Sequence, residues 1–337
     1  MSLTAAALRR AAVAIQATAA SGLAAGLAVW AGWPWPLAIG TGGLAVLIGF
    51  GAGVAIAFGA TLGGLGIAPA ERPPLPADAP RRQRLGMTSA LVCYLGECQS
   101  VFRMFNWLQP FRSQLRFAAP AASGPGRDAP TVLLVHGYGC NQAIWLDMAP
   151  SLAAAGYRCE GIDLEPVLGD IDDYAPTLLA HMRDIRSRTG RAPLLLCHSM
   201  GGLAARAAQV LALADTCSAP PCAGIVTLGS PHHGCALARF GSGRNARQMR
   251  WASPWLATLA AAESPAMRAR IVSIFSWHDS IAGPPGTSWL DGARHLALDG
   301  IGHVSLLRHP RAIAATLDAL AMLGADATAP PRATATH

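Results

Sequence analysis

Between Arg10 and Glu71 the chain carries no charged residue and no histidine. Two apolar arms, about Ala11–Ala31 and Leu37–Leu62, flank a Gly32-Trp33-Pro34-Trp35-Pro36 break. Each arm exceeds the ~20 residues with which a helix crosses a bilayer. The prolines supply a turn between them, and the indoles suit a membrane interface. The pattern predicts a two-helix transmembrane hairpin over residues 1–68. Gly22 and Gly26, Gly49 and Gly53, and Gly59 and Gly63 stand at the spacing that lets such helices approach closely. Arg9-Arg10 before an apolar run also reads as a signal peptide. The second arm speaks against that, because a signal peptide needs no further span.

Past the hairpin, Pro69–Pro80 is a proline-rich linker, and Met87–Leu108 reads as an amphipathic helix; together they fill residues 69–128. Leu91, Leu95, Phe102, Phe105 and Trp107 give that helix an apolar side, which packs on the following domain or lies in the membrane interface. Core packing is the simpler expectation. Ser123-Gly124-Pro125-Gly126 then punctuates the entry to a new unit.

From Thr131 onward short apolar runs alternate with helical patterns. Strands are expected at Val132–Val135, Tyr157–Ile162, Leu194–Cys197, Gly224–Leu228, Ile271–Phe275 and His295–Leu298. Helices are expected near Ala143–Ala155, Tyr174–Arg188, Leu203–Ala214 and Val304–Leu323. Such alternation implies an α/β domain over residues 129–323, with a mainly parallel sheet covered by helices on both faces. Residues 324–337 read as a disordered tail. Sites in sheets of this kind form at the carboxyl ends of the strands.

Candidate chemistry falls at those ends. Pro193-Leu-Leu-Leu-Cys-His-Ser199-Met-Gly-Gly202 runs from a buried strand through a serine among small residues into an alanine-rich helix. This is the context of a nucleophile elbow, in which a sharp turn exposes the serine hydroxyl. Gly201 is required where a side chain would collide with the neighbouring strand, and Cys197 stands where the G-x-S-x-G form has its first glycine. Downstream, Asp279 follows a strand and His303 lies in a glycine-flanked loop, the order Ser, Asp, His. His278, His295 and His309 are further candidates for the base, and Asp291 and Asp299 for the acid; Asp299 is better placed to support the His303 loop. Backbone N–H groups of Met200 and of Tyr138, in His136-Gly137-Tyr138-Gly139, are positioned to form an oxyanion site. His136 is expected to hold that loop, and Gly137 to let its backbone come close.

Composition narrows the alternatives. Of the 337 residues, 26 are Lys or Arg against 19 Asp or Glu, a net charge of +7 carried by arginine alone. There is no basic stripe with interleaved aromatics, so a nucleic-acid partner is not indicated. Arg72, Arg81, Arg82 and Arg84 sit where they can hold the chain against anionic headgroups. With Arg9 and Arg10 at the other end, they place both hairpin ends on the cytoplasmic side by the positive-inside rule. The 8 cysteines follow no zinc spacing. Cys217 and Cys222 could close a small loop by a disulfide, while Cys159 and Cys197 suit the core. No metal or cofactor is implied, and oligomeric state leaves no signal.

Leu133-Leu-Val-His-Gly-Tyr-Gly139, His198-Ser-Met-Gly-Gly202, Thr227-Leu-Gly-Ser-Pro-His-His-Gly234, Trp289-Leu-Asp-Gly-Ala-Arg294 and Gly300-Ile-Gly-His-Val-Ser-Leu-Leu307 resemble small bacterial triacylglycerol lipases (lipase class 2) of the α/β-hydrolase superfamily. The resemblance covers roughly residues 129–323 and leaves the hairpin untouched. It implies an α/β-hydrolase fold and a Ser199–Asp279–His303 triad, with Tyr138 and Met200 as oxyanion donors. It also makes a small residue such as Cys197 acceptable at the elbow. The implied activity is hydrolysis of carboxylic esters, with acyl lipids as the substrate class and membrane lipids as partners, at a bacterial inner membrane. Lipid-degrading relatives are commonly exported, so the side of the membrane stays open. An acyltransferase using the same acyl-enzyme and a non-catalytic membrane module are the rival readings. Residues 234–263 exceed a minimal connection and read equally as a lid over an acyl pocket or as a helical insertion packed on the sheet.

Overall fold

A computed structural model describes residues 4–72, 74–117, 129–213 and 220–328. Two long helices, α1 (Ala5–Val29) and α2 (Trp35–Gly63), form the hairpin. At 1.5 Å per residue they are about 37 and 43 Å long. Few of their apolar side chains are buried, and Ile15, Leu23, Ile39, Leu44, Leu47 and Ile56 are exposed. The glycines at four-residue spacing do not make the helix–helix contact. A Cβ built on Gly22, Gly26, Gly49, Gly53, Gly59 or Gly63 meets nothing within 4 Å. Close approach occurs at Gly42, whose Cβ would stand 3.2 Å from the carbonyl carbon of Ala20. In helices so rich in glycine, spacing does not reveal which face is packed.

The base of the hairpin is tied to the rest of the chain. Arg9 donates to the Gly139 carbonyl at 2.9 Å and lies 4.1 Å over the Phe105 ring. Asn106 donates to Gln16 at 2.8 Å, and the Thr61 hydroxyl donates to the Ser280 carbonyl at 2.9 Å.

Helix α3 (Met87–Phe102) continues as a π-helical turn over Arg103–Leu108. Its orientation differs from the expectation of core packing. Cys93, Glu97, Ser100, Met104 and Leu108 are buried against the domain, whereas Leu91, Val92, Leu95, Phe102 and Trp107 are exposed. The helix therefore turns its only charged residue inward and much of its apolar surface outward.

The six strands are β1 (Thr131–Val135), β2 (Arg158–Ile162), β3 (Leu194–His198), β4 (Gly224–Leu228), β5 (Ile271–Ser276) and β6 (Arg294–Leu298). They form one parallel sheet in the order β2-β1-β3-β4-β5-β6. Because side chains alternate across a strand, each strand serves two cores. Leu133, Val135, Leu195, Cys197 and Ile225 pack on one face against Tyr174, Leu178, Met182 and Ile185 of α5 (Ile171–Thr189), once α4 (Ala149–Ala154) has passed on the other side. Val132, Leu134, Leu194, Leu196 and Val226 pack on that other face against Trp145, Leu152, Leu320 and Leu323. Helix α6 (Met200–Ala212) follows β3 directly. The sheet order reverses between β1 and β3, which opens a crevice at their carboxyl ends.

Two differences concern the ends of elements. The closing helix, expected near Val304–Leu323, is a 3-10 turn over Ser305–Leu307 and then a long helix over Pro310–Thr328, past the residue where the tail was expected to begin. Cys217 lies outside the described residues; Cys222 is a buried free thiol, as are Cys159 and Cys197.

Candidate active site

Register places the nucleophile candidate. Val135 of β1 pairs with Cys197 of β3, and His198 pairs with Leu228 of β4. Ser199 therefore emerges just past the sheet, between the loop after β1 and Gly229. Its φ of 55° and ψ of −124° lie in a region that a residue with a side chain occupies only under constraint. The constraint is visible: Ser199 N–H donates to Leu228 O at 2.9 Å, and the Ser230 hydroxyl donates to Ser199 O at 2.7 Å. Ser199 is half-buried while His198 and Met200 are buried, so the turn brings the serine toward the surface. Neighbouring glycines make room. A Cβ on Gly137 would stand 2.9 Å from Ser199 Cβ, and one on Gly201 would lie 2.5 Å from Val135 O and 2.7 Å from His136 O. Cys197 is fully buried in the sheet core, where its small side chain fits.

Asp279 and His303 come from the loops after β5 and β6. Asp279 Oδ2 accepts from His303 Nδ1 at 2.8 Å, with both side chains almost fully buried. The other carboxylate oxygen accepts the Ile281 and Ala282 N–H groups at 2.8 and 2.6 Å, which fixes the carboxylate plane. Burial alone would lower the His303 pKa. The Asp279 charge and hydrogen bond, with Glu97 adding to them, outweigh burial and raise it above the ordinary histidine value. The pair lies beside the elbow: a Cβ on Gly229 would be 2.9 Å from Asp279 Oδ2 and 3.1 Å from His303 Nδ1. His198, next to Ser199, packs on the His303 ring at 4.6 Å between centroids and is bonded to its carbonyl at 3.2 Å.

The remaining candidates have other partners. His295 stacks on Trp289 at 3.7 Å, and His278 accepts the Gly300 N–H at 3.1 Å. Asp299 accepts the Gln83 N–H at 3.1 Å, and His309 accepts the Arg311 N–H at 3.2 Å, at the start of the closing helix. The Asp291 carbonyl accepts from Arg268 at 3.5 Å. Among the described residues no three His, Cys, Asp or Glu side chains cluster as metal ligands would.

Sequence reasoning missed Glu97. From α3, outside the α/β domain, its fully buried carboxylate accepts the Ser280 hydroxyl at 2.6 Å. It also accepts the N–H groups of Val304 and Ser305 at 3.0 and 2.9 Å and the Ser305 hydroxyl at 2.7 Å. One carboxylate thus joins the residue after Asp279 to the residues after His303. The only sequence signal was a lone charge within Met87–Phe102.

Neither the Tyr138 nor the Met200 amide has an acceptor among the described residues. Met200 opens α6, where first-turn N–H groups lack intrahelical partners. His136 is buried and bonded at 2.8 Å to Gly137 O, and its Nε2 accepts the Leu164 N–H at 2.9 Å. The Tyr138 hydroxyl donates to Ser242 O at 2.8 Å and accepts the Ser242 N–H at 3.0 Å. That contact reaches the insertion after β4, which carries α7 (Gly243–Gln248) and α8 (Pro254–Ala262). The insertion is tied to the domain at three points. Buried Asn245 donates to Val167 O at 2.9 Å, Trp255 donates to Asp172 at 2.8 Å, and Glu263 forms a fully buried pair with Arg206 at 2.5 Å. Of the two readings of residues 234–263, packing on the domain describes α7 and α8.

The fold is similar to two solved lipases. It matches the mature form of a Bacillus licheniformis lipase with a TM-score of 0.51 at 19% identity, covering 61% of this chain and 96% of that one. It matches Aspergillus fumigatus lipase B with a TM-score of 0.50 at 16% identity, covering 64% of this chain and 60% of that one. No curated protein matches the sequence. The family model described as alpha/beta hydrolase family covers residues 132–336, from β1 through all the loops that carry Ser199, Asp279 and His303. With its parallel sheet and elbow, the chain belongs to the alpha/beta hydrolase family.

Proposed function

We propose that this chain is a membrane-tethered serine hydrolase that cleaves carboxylic esters, with acyl lipids as its substrate class. The observation that carries the reading is the strained Ser199 at the end of β3, beside an Asp279–His303 pair at 2.8 Å. Family membership supports ester hydrolysis. In the proposed cycle His303 Nε2 takes the Ser199 proton as Oγ attacks the ester carbon. The oxyanion accepts the Tyr138 and Met200 N–H groups. His303 then passes the proton to the departing alcohol, leaving an acyl-Ser199 ester. Water, deprotonated by His303, attacks that ester; the acid leaves and Ser199 regains its proton. Asp279 stabilises the imidazolium and keeps Nδ1 protonated.

The tether is formed by α1 and α2, with the exposed apolar side of α3 lying in the interface. Two arguments support it. Each hairpin helix is long enough to span a hydrocarbon core of about 30 Å, and α3 exposes Leu91, Val92, Leu95, Phe102 and Trp107 next to the hairpin base. Contiguous apolar surface of this kind is rarely left to water. Fluorophosphonate labelling of membranes tests the chemistry: wild type is expected to label, and Ser199→Ala and His303→Ala are not. Equal labelling of wild type and Ser199→Ala would place the nucleophile elsewhere. Carbonate washing tests the tether, since release of the protein into the supernatant would exclude an integral hairpin.

A further inference from the structure

We propose that a cavity between α2, the linker and α3 binds an anionic phospholipid, with its acyl chain along α2 and its phosphate between Arg82, Arg84 and His278. The proposal rests on the reading of α1 and α2 as a membrane hairpin.

The cavity holds about 730 Å³, is not lined by Ser199, and has walls of contrasting chemistry. Phe58 and Leu62, from the end of α2, line its apolar side, and Tyr94 of α3 lines another. Arg82, Arg84 and His278 line its polar end. Both arginines are exposed, and Arg84 has no acceptor among the described residues.

His278 supplies the argument that this end suits an anion. It is almost fully buried, and its Nδ1 accepts the Gly300 N–H at 3.1 Å. Asp299 Oδ1 stands farther from that nitrogen, at 3.5 Å, and already accepts the Gln83 N–H. Neutral imidazole with Nδ1 as acceptor carries its proton on Nε2. Burial, with the Arg82 charge adding to it, lowers the His278 pKa and favours this neutral form. Arg82 Nε–H is directed at Nε2, at 3.4 Å, yet with Nδ1 already accepting from Gly300 the neutral ring cannot accept at both nitrogens. An acceptor placed between Arg82 and Nε2 satisfies both, and a negative one also compensates Arg82 and Arg84. A phosphate has the oxygens to accept from all three groups. The apolar wall belongs to a helix whose exposed side suits hydrocarbon, so the anion most compatible with the whole cavity carries an acyl chain. Free phosphate would leave Phe58 and Leu62 uncovered.

The test uses the full-length Ser199→Ala protein, so that failure of the hydrolase reading leaves it intact. Detergent-solubilised protein is mixed with equal amounts of phosphatidylglycerol, phosphatidylcholine and oleate, and retained lipid is counted by native mass spectrometry. Phosphatidylglycerol is expected to be retained at least about tenfold over both others. Arg82→Gln with Arg84→Gln is expected to remove that preference, the paired lysine substitutions to restore part of it, and Arg81→Gln, outside the cavity, to leave it unchanged. Equal retention of phosphatidylglycerol and phosphatidylcholine would overturn the proposal. So would preference for oleate, equal loss in the Arg81 variant, or displacement of the lipid by inorganic phosphate at matching concentration.

Discussion

Glu97 accepts the hydroxyl of Ser280 at 2.6 Å, although the two residues are 183 positions apart in sequence. Ser280 follows Asp279, and the same carboxylate holds Val304 and Ser305, which follow His303. A Cβ on Gly302 would press into Glu97, so the loop comes as close as a glycine permits. The proposed acid and base are thus held together twice: directly by their own hydrogen bond, and from behind by a helix that precedes the α/β domain.

Replacing Glu97 should change both the rate and its pH dependence. Glu97→Gln keeps the shape but loses the charge and has too few acceptors for four donors. A charged hydrogen-bond network is worth about 1.5–3 kcal/mol per bond, so a partial loss in the transition state corresponds to about a 10- to 100-fold fall in kcat/KM. His303 must be neutral to take a proton, so kcat/KM rises as pH climbs through its pKa. Glu97 raises that pKa, and its removal should move the acid limb to lower pH. A rate loss with an unmoved acid limb would assign Glu97 a purely structural role.

Asp279→Asn should be nearly silent in the fold and severe in the chemistry. The side-chain carbonyl can keep the Ile281 and Ala282 N–H bonds at Oδ1. Its NH₂ then faces His303 Nδ1 and forces the proton onto Nε2, the nitrogen that must act as base. A fall on the order of 10⁴-fold in kcat is expected, with melting temperature close to wild type. Retention of more than about a tenth of the activity would remove Asp279 from the mechanism.

Much of the sheet was legible in the sequence because β1, β3, β4 and β5 are short, largely apolar runs buried along their whole length. The chain order of Ser199, Asp279 and His303 was legible because each follows a strand, β3, β5 and β6 in turn. The orientation of α3 was not. A 3.6-residue stripe shows that one face is apolar, and the stripe reads identically whether it meets a core or faces outward. Glu97 was hidden by the same ambiguity: a lone carboxylate on a helix is ordinarily solvated, and only the three-dimensional fold supplies its four donors. The anchoring of the insertion depends on Asn245, Trp255 and Glu263, whose partners lie 78, 83 and 57 residues away. Spacing carries no trace of such contacts.

The Arg206–Glu263 pair should be strongly asymmetric under substitution. Both side chains are fully buried, and Glu263 also accepts from Arg268 at 3.0 Å. Glu263→Gln leaves a buried guanidinium without its counter-charge and is expected to cost about 3–5 kcal/mol in unfolding free energy. Arg206→Met combined with Glu263→Leu removes both charges and should recover most of that loss. Denaturant midpoints measure the difference. If the single variant were as stable as wild type, the pair would not be what holds the end of α8 to the elbow helix.

Two glycine substitutions separate a required close approach from mere composition. At Gly201 an added Cβ would meet two backbone carbonyls, Val135 O at 2.5 Å and His136 O at 2.7 Å. Backbone at the end of β1, an interior strand, has little room to yield, so Gly201→Ala must push the elbow away from the loop bearing Tyr138. The strain is of the order of 1–3 kcal/mol, and a displacement of even about 1 Å between nucleophile and oxyanion donors costs on the order of 100-fold in kcat. At Gly22 in α1 an added Cβ meets nothing within 4 Å. Gly22→Ala should therefore leave activity unchanged and, by helix propensity, stabilise α1 by up to about 1 kcal/mol. Ester hydrolysis and thermal unfolding of the two variants, measured in the same detergent, check both expectations. An active Gly201→Ala enzyme would show that the elbow can shift without losing its alignment; an inactive Gly22→Ala enzyme would show that α1 meets a partner through that face.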